Sequence, residues 1–249
     1  VTGSNPNGPG RVDEREARER IVEVCRRMHE RGLIAGGEGN VSVRLAPDRI
    51  LITPSGVNKG FLKPSELAVL DAAGNASRRG PKASSEFRLH LAAYAARPDC
   101  GAVLHAHPPH AIALTIADLP LSQDLIPESV VSLGRVPTAA YATPSTPALA
   151  DGVGDLLVHH DIVMMARHGS VCVGPDLDTA YDRLESLEHT ARITVIARSL
   201  GPVQPLDPIE IARLRALAGD PDPVAGAAAQ EEALVREIAA RVLAAIGPR

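Results

Sequence analysis

The chain has 249 residues, is 45% hydrophobic and carries a formal net charge of −4, from 26 basic and 30 acidic residues mixed along its length. No basic stripe marks a nucleic-acid partner, and no apolar run approaches the ~20 residues that span a bilayer. Aromatic residues make up 2% and tryptophan is absent, so the core must be aliphatic and ring stacking is excluded as a main binding device.

Residues 1–12, rich in Gly, Pro and Asn, are expected to form a disordered arm. From Asp13 to about Arg31, Ile21, Val24, Cys25 and Met28 recur at helical spacing among dense charges. Gly36, Gly37 and Gly39 open a loop into the alternating strand Asn40-Val41-Ser42-Val43-Arg44. Ile50–Thr53 reads as its antiparallel neighbour and Leu67–Leu70 as a third short strand. Ser84 is a candidate N-cap for a helix that ends before Pro98. An apolar strand over Val103–His107 is closed by Pro108 and Pro109, and Ala111–Ala117 follows as a short helix. Ile162–Ala166 and Val171–Val173 read as buried strands separated by His168-Gly169. Pro175 opens a long helix to about Leu200, stopped by Gly201, and Asp207-Pro208-Ile209-Glu210 has the shape of a capping box.

Several strand pairs have connections too short for a parallel crossover. The expectation is one α/β domain over residues 13–218, with a mostly antiparallel sheet and helices on its faces. Residues 219–230 read as a flexible linker. Beyond it, residues 231–249 form an amphipathic helix whose stripe runs through Leu234, Val235, Ile238, Val242, Leu243 and Ile246. Cys25, Cys100 and Cys172 are an odd, widely spaced set without a CxxC pair, which predicts buried reduced thiols in a cytoplasmic protein. No signal peptide is visible.

The chemistry concentrates at His105-Ala106-His107. Successive side chains of a strand point to opposite faces, so both imidazoles emerge on one side, about 6.7 Å apart along the backbone. Two such rings can converge on one ion, while Leu104 and Ala106 face the core. His168, at a strand end and followed by Gly169, is the best third ligand. His29, His90, His110, His159, His160 and His189 read as surface or internally satisfied histidines. Ser84-Ser85-Glu86 places two hydroxyls and an acid at a helix start, an anion-friendly position. Gly39-Asn40 and Thr53-Pro54-Ser55-Gly56 are loops with small or polar residues that could join the serines around a phosphate.

Taken in order, Gly39-Asn40-Val41-Ser42-Val43-Arg44, Ile52-Thr53-Pro54-Ser55-Gly56, Ser84-Ser85-Glu86, His105-Ala106-His107 and Arg167-His168-Gly169 resemble the class II aldolase/adducin family, most closely its L-fuculose-1-phosphate aldolase branch. The resemblance spans about residues 15–200. It implies an α/β/α sandwich with a central antiparallel sheet, assembled as a homotetramer. It implies one Zn2+ per subunit, or another divalent transition metal, on His105, His107 and His168. Glu86 would be the general acid/base, and Gly39, Asn40, Ser55, Gly56, Ser84 and Ser85 would hold the phosphate of a sugar substrate. The implied activity is cleavage of a ketose 1-phosphate to dihydroxyacetone phosphate and a small aldehyde. Decarboxylases, methylthioribulose-phosphate dehydratases, pentulose-phosphate 4-epimerases and non-enzymatic adducin heads share the resemblance. The epimerases carry an aspartate where Glu86 stands, and the adducin heads lack the histidines. Two departures stand out. Leu125–Ser129 has no tyrosine where such aldolases use one, leaving Glu128 as the acid of that stretch. The C-terminal segment is replaced by the linker and helix, which resemble peptides that direct enzymes into bacterial microcompartment shells.

Overall fold

The computed structural model describes residues 12–76, 80–121 and 123–219. The expected N-terminal arm up to residue 11, and the expected linker and amphipathic helix beyond Gly219, lie outside the described residues. Seven strands, β1 (Asn40–Ala46), β2 (Arg49–Ile52), β3 (Ala68–Asp71), β4 (Ala102–Ala106), β5 (Thr138–Ala139), β6 (Ile162–Met165) and β7 (Gly169–Gly174), form one sheet in the order β3-β2-β1-β4-β7-β6-β5. Every pairing is antiparallel except β5 with β6. The helices are α1 (Glu14–Glu30), α2 (Phe87–Ala96), α3 (Pro109–Ile116), α4 (Pro127–Leu133), α5 (Pro147–Leu157), α6 (Leu177–Leu200) and α7 (Pro208–Leu217).

Strand alternation builds the sandwich. Leu104, Ala106, Ile162, Met164 and Cys172 pack on one face with Ile21, Val24 and Met28 of α1 and Leu184 and Leu187 of α6. Val103, Val163, Met165, Val171 and Val173 pack on the other with Leu89 and Ala93 of α2 and Leu149, Val153 and Leu157 of α5. Each fully buried aliphatic side chain contributes about 1.5–3 kcal/mol, so an aromatic-poor core is sufficient. The expected α/β/α sandwich with a mostly antiparallel sheet is the observed fold. The three cysteines are free and buried. Burial pushes the thiols of Cys25 and Cys172 up to about 12, which keeps them protonated and unreactive. No helix among the described residues is long and apolar enough to cross a membrane.

Several local details differ from expectation. Asp176, not Pro175, sets the start of α6, because its carboxylate accepts the Thr179 N–H at 2.7 Å. Helix α2 starts at Phe87 rather than directly after Ser84. The Ser84 hydroxyl accepts the Glu86 N–H at 3.3 Å, which closes a separate turn ahead of the helix. α4, β5 and α5 were not expected. Both helices open with proline at the first turn, and Thr146 caps α5 by accepting from Leu149 N–H.

Candidate metal centre

β4 ends at Ala106 because the next N–H, that of His107, turns to donate to the Leu33 carbonyl at 2.9 Å. His105 stays fully buried on the face toward α2, and His107 follows it with ring centroids 4.9 Å apart. His168 arrives on the β6–β7 turn, where Arg167 takes φ 60° and His168 N–H donates to Met165 O at 3.1 Å. Gly169 makes this approach possible: a Cβ there would lie 2.3 Å from the Ala106 carbonyl oxygen and 2.9 Å from the His107 ring. One ligand atom from each of the three histidines lies within 4.8 Å of the others.

The far ring nitrogens of His105 and His107 aim these atoms, while His168 Nδ1 is buried without a hydrogen-bond partner. His105 Nδ1–H donates to the Ser170 carbonyl at 2.9 Å, and His107 Nδ1–H donates to Glu38 Oε2 at 3.1 Å. Their Nε2 atoms then face each other at 3.1 Å. Glu86 Oε2 stands 3.2 Å from His105 Nε2, and Glu86 Oε1 stands 3.4 Å from His168 Nε2. Oε1 is also buried without a hydrogen-bond partner. Lone pairs converging this closely repel one another unless a positive charge, a proton or a metal ion, sits among them. Backbone and carboxylate partners on the far ring nitrogens are the supports that metal-binding imidazoles use. The residues therefore fit a metal ion held by His105, His107 and His168. Burial, then the neighbouring His105, lowers the pKa of His107 and takes that of His168 to about 4, so both rings are neutral at pH 7. Burial pushes the Glu86 carboxyl up, but the hydrogen bond and charge of His105, with Asn40, outweigh it and bring it to about 2.

The six residues expected around a phosphate all line one cleft of about 260 Å3, together with Glu86, His107 and His168. A bridge between Pro54 and Ala83 sets their two loops side by side, with Ser84 N–H donating to Thr53 O and Ser55 N–H to Lys82 O, both at 3.0 Å. Lys59, not foreseen, lines the same cleft. Its buried ammonium donates to the carbonyls of Gly37 and Val57 at 2.9 and 2.8 Å, tying the two glycine loops together. Glu128 is exposed on α4 and is not among the cleft-lining residues. His110 is held away from the triad, its Nδ1–H donating to Glu188 at 2.6 Å.

His90 is the histidine whose place sequence reasoning passed over. It is fully buried behind Glu86, joined to Asn40, and through Ser42 to Tyr94. The signal was present: Glu86, His90 and Tyr94 are four residues apart and share one helix face, while Asn40 and Ser42 share one strand face. Burial, followed by the charge of His105, takes the His90 pKa from 6.5 to about 3. Between those values an unfolded chain takes up a proton that the folded ring refuses, so this ring subtracts stability as pH falls from 6.5 and has no effect above it. Its share between pH 6.5 and 5 is about 2 kcal/mol. Denaturant midpoints should therefore be lower at pH 5 than at pH 7, and the loss should shrink in His90→Gln. An equal loss in wild type and variant contradicts this assignment.

A model of the class II aldolase and adducin N-terminal domain matches residues 19–195. The chain is 36% identical over 180 residues to the 3-oxo-tetronate 4-phosphate decarboxylase of Haemophilus influenzae, covering 71% of this chain and 85% of the relative. It is 32% identical over 179 residues to the L-fuculose phosphate aldolase of Methanocaldococcus jannaschii, covering 72% and 96%. Among solved structures, YgbL of Klebsiella pneumoniae, described as a putative aldolase/epimerase/decarboxylase, superposes with a TM-score of 0.76 at 29% identity, covering 82% of this chain and all of that one. Fold and site thus define a class II aldolase-superfamily lyase with a histidine triad that can hold a metal. The chain belongs to the class II aldolase and adducin family.

Proposed function

We propose that the protein is a metal-dependent aldolase that cleaves a ketose 1-phosphate of the L-fuculose 1-phosphate kind to dihydroxyacetone phosphate and a small aldehyde such as lactaldehyde. The observation that carries this reading is Glu86, whose carboxylate stands within 3.4 Å of two members of the triad at the wall of a Ser- and Gly-lined cleft. A divalent ion on the triad, taken here as one Zn2+ per subunit, supplies Lewis acidity for negative charge that develops on the substrate oxygens.

The chain's own groups do the rest. Ser55, Ser84 and Ser85, the backbone at Gly39 and Gly56, and Asn40 anchor the phosphate, with the Lys59 charge nearby. In the addition direction, Glu86 takes a proton from the hydroxymethyl carbon of dihydroxyacetone phosphate. The electron pair left on that carbon adds to the aldehyde carbonyl carbon, whose oxygen gains a proton. Cleavage reverses these steps, so Glu86 returns the proton to carbon. The charged side chains lining the cleft, Glu38, Glu86 and Lys59, include two carboxylates, which suits a neutral polyol or aldehyde fragment.

A second reading, decarboxylation of a 3-oxo acid phosphate, is favoured by the lack of a tyrosine among the cleft-lining residues. A 3-oxo-tetronate 4-phosphate that loses CO2 leaves the same electron pair on the same three-carbon phosphate, and departing CO2 needs no proton transfer at its oxygen. Glu86 would serve both reactions alike.

The homotetramer belongs to the same proposal, on the strength of the family resemblance. So does engagement of a microcompartment shell by the stripe from Leu234 to Ile246, which would place a cytoplasmic enzyme inside that shell. The function is tested by offering L-fuculose 1-phosphate, L-rhamnulose 1-phosphate, 5-deoxyribulose 1-phosphate and 3-oxo-tetronate 4-phosphate to zinc-loaded protein. Aldehyde and dihydroxyacetone phosphate from a ketose phosphate are expected. Release of CO2 from the acid with no ketose turnover transfers the assignment to the decarboxylase reading.

A further inference from the structure

We propose that His90 is a positioning residue that locks the Asn40 amide with its nitrogen toward Glu86, leaving Glu86 Oε1 as the atom that moves the proton. The inference rests on Glu86 as the proton-transfer group of the proposed reaction. Asn40 Nδ2 donates to Glu86 Oε2 at 2.9 Å, so Asn40 Oδ1 must face the other way, toward His90 Nε2. A neutral imidazole has one donor and one acceptor. His90 Nε2–H therefore donates to Asn40 Oδ1, and its Nδ1 accepts from the Ser42 hydroxyl at 2.7 Å. Ser42 Oγ in turn accepts from the Tyr94 hydroxyl at 2.9 Å, and burial keeps that phenol protonated. Every donor in the chain Tyr94, Ser42, His90, Asn40 points at Glu86.

All four residues are buried, with Asn40 at 2% exposure and Tyr94 at 5%, so no bulk water is available to replace a lost bond. An inverted Asn40 amide would set its oxygen against the carboxylate and its N–H against the donor at His90 Nε2, so the flip is opposed at both ends and His90 supplies the far one. Oε2 is thereby tied down, while Oε1, without a hydrogen-bond partner, faces His168. A network that served folding alone would need satisfied partners but no particular direction.

The test uses the full-length, zinc-loaded protein and its exchange of a carbon-bound hydrogen of dihydroxyacetone phosphate with D2O. His90→Leu is expected to lower kcat for exchange by about 10- to 100-fold, the scale of a misplaced reacting group, with KM and zinc content little changed. His90→Gln, whose amide N–H can stand in for Nε2–H, should recover most of the loss. Ser42→Ala, which frees the His90 tautomer, should fall between wild type and His90→Leu, and it decides the matter with His90→Gln if the leucine variant does not fold. Wild-type kcat in folded His90→Leu or Ser42→Ala, or a His90→Gln no better than His90→Leu, overturns the proposal. Independently of activity, 15N-histidine NMR should find His90 as the neutral Nε2–H tautomer, and an Nδ1–H tautomer overturns the proposal. Absence of exchange in the wild type instead counts against Glu86 as the proton-transfer group, and the tautomer then decides the relay alone.

Discussion

Glu86→Gln is expected to lower kcat for dihydroxyacetone phosphate release by about 10³-fold while leaving the metal in place. The substitution keeps the shape of the side chain, and its amide oxygen can still accept from Asn40 Nδ2, now at 2.9 Å from Oε2. It removes the ability to take a proton from carbon and to give one back. On the proposed function, Glu86 differs from the triad in role rather than distance: three imidazoles would fill the ligand set of a catalytic zinc site, which keeps its fourth position for water or substrate. Metal analysis of the purified variant beside its steady-state rate checks both halves. A variant that loses its metal would make Glu86 a ligand, and a rate within about threefold of wild type would remove it from the proton transfer.

The second large effect is expected at His107. His107→Ala should leave folded protein with little bound metal and with activity down by at least about 10³-fold, since metal chemistry and substrate orientation are lost together. His107 is preferred to His105 for a physical reason. The His105 ring is wholly buried and satisfies the Ser170 carbonyl, so its removal would strand a buried acceptor at a cost of about 1–3 kcal/mol. The His107 side chain keeps 21% exposure and its partner Glu38 keeps 51%, so water can replace what is cut. Full metal content in His107→Ala would remove that residue from the ligand set.

How much of this was legible in the chain depended on whether the signal was periodic or positional. The period of two in Val103–His107 correctly sent Leu104 and Ala106 to one core cluster and both histidines toward the opposite face. The glycine after His168 was readable as a close approach, and the approach is to the backbone of Ala106. Residues 127–157 were not readable. α5 contains Gly152, Gly154 and two aspartates, which mask the stripe of Leu149, Val153 and Leu157, and β5 is two residues long and defined by its neighbour β6. Ser84 looked like a helix cap because its hydroxyl was the right kind of acceptor. The N–H it accepts belongs to Glu86, and the helix begins one residue later. A single histidine on an apolar helix, such as His90, reads as internally satisfied. It is so satisfied, but by the groups that hold Glu86. Lys59 had no motif at all, and only the meeting of two glycine loops around its ammonium reveals it.

In the proposed reaction His105, His107, His168 and Glu86 together move a proton at a carbon beside the carbonyl of a three-carbon phosphate, whatever fragment leaves. This proton transfer is tested most directly by incubating zinc-loaded protein with dihydroxyacetone phosphate alone in D2O and following the hydroxymethyl hydrogens by proton NMR. One of the two hydrogens on that carbon should be replaced by deuterium, because a fixed carboxylate reaches one face of the bound substrate. The exchange should be about 10³-fold slower in Glu86→Gln. Folded, metal-loaded protein that leaves both hydrogens in place, or that exchanges them equally fast without the carboxylate, would rule out proton transfer by Glu86 at this site.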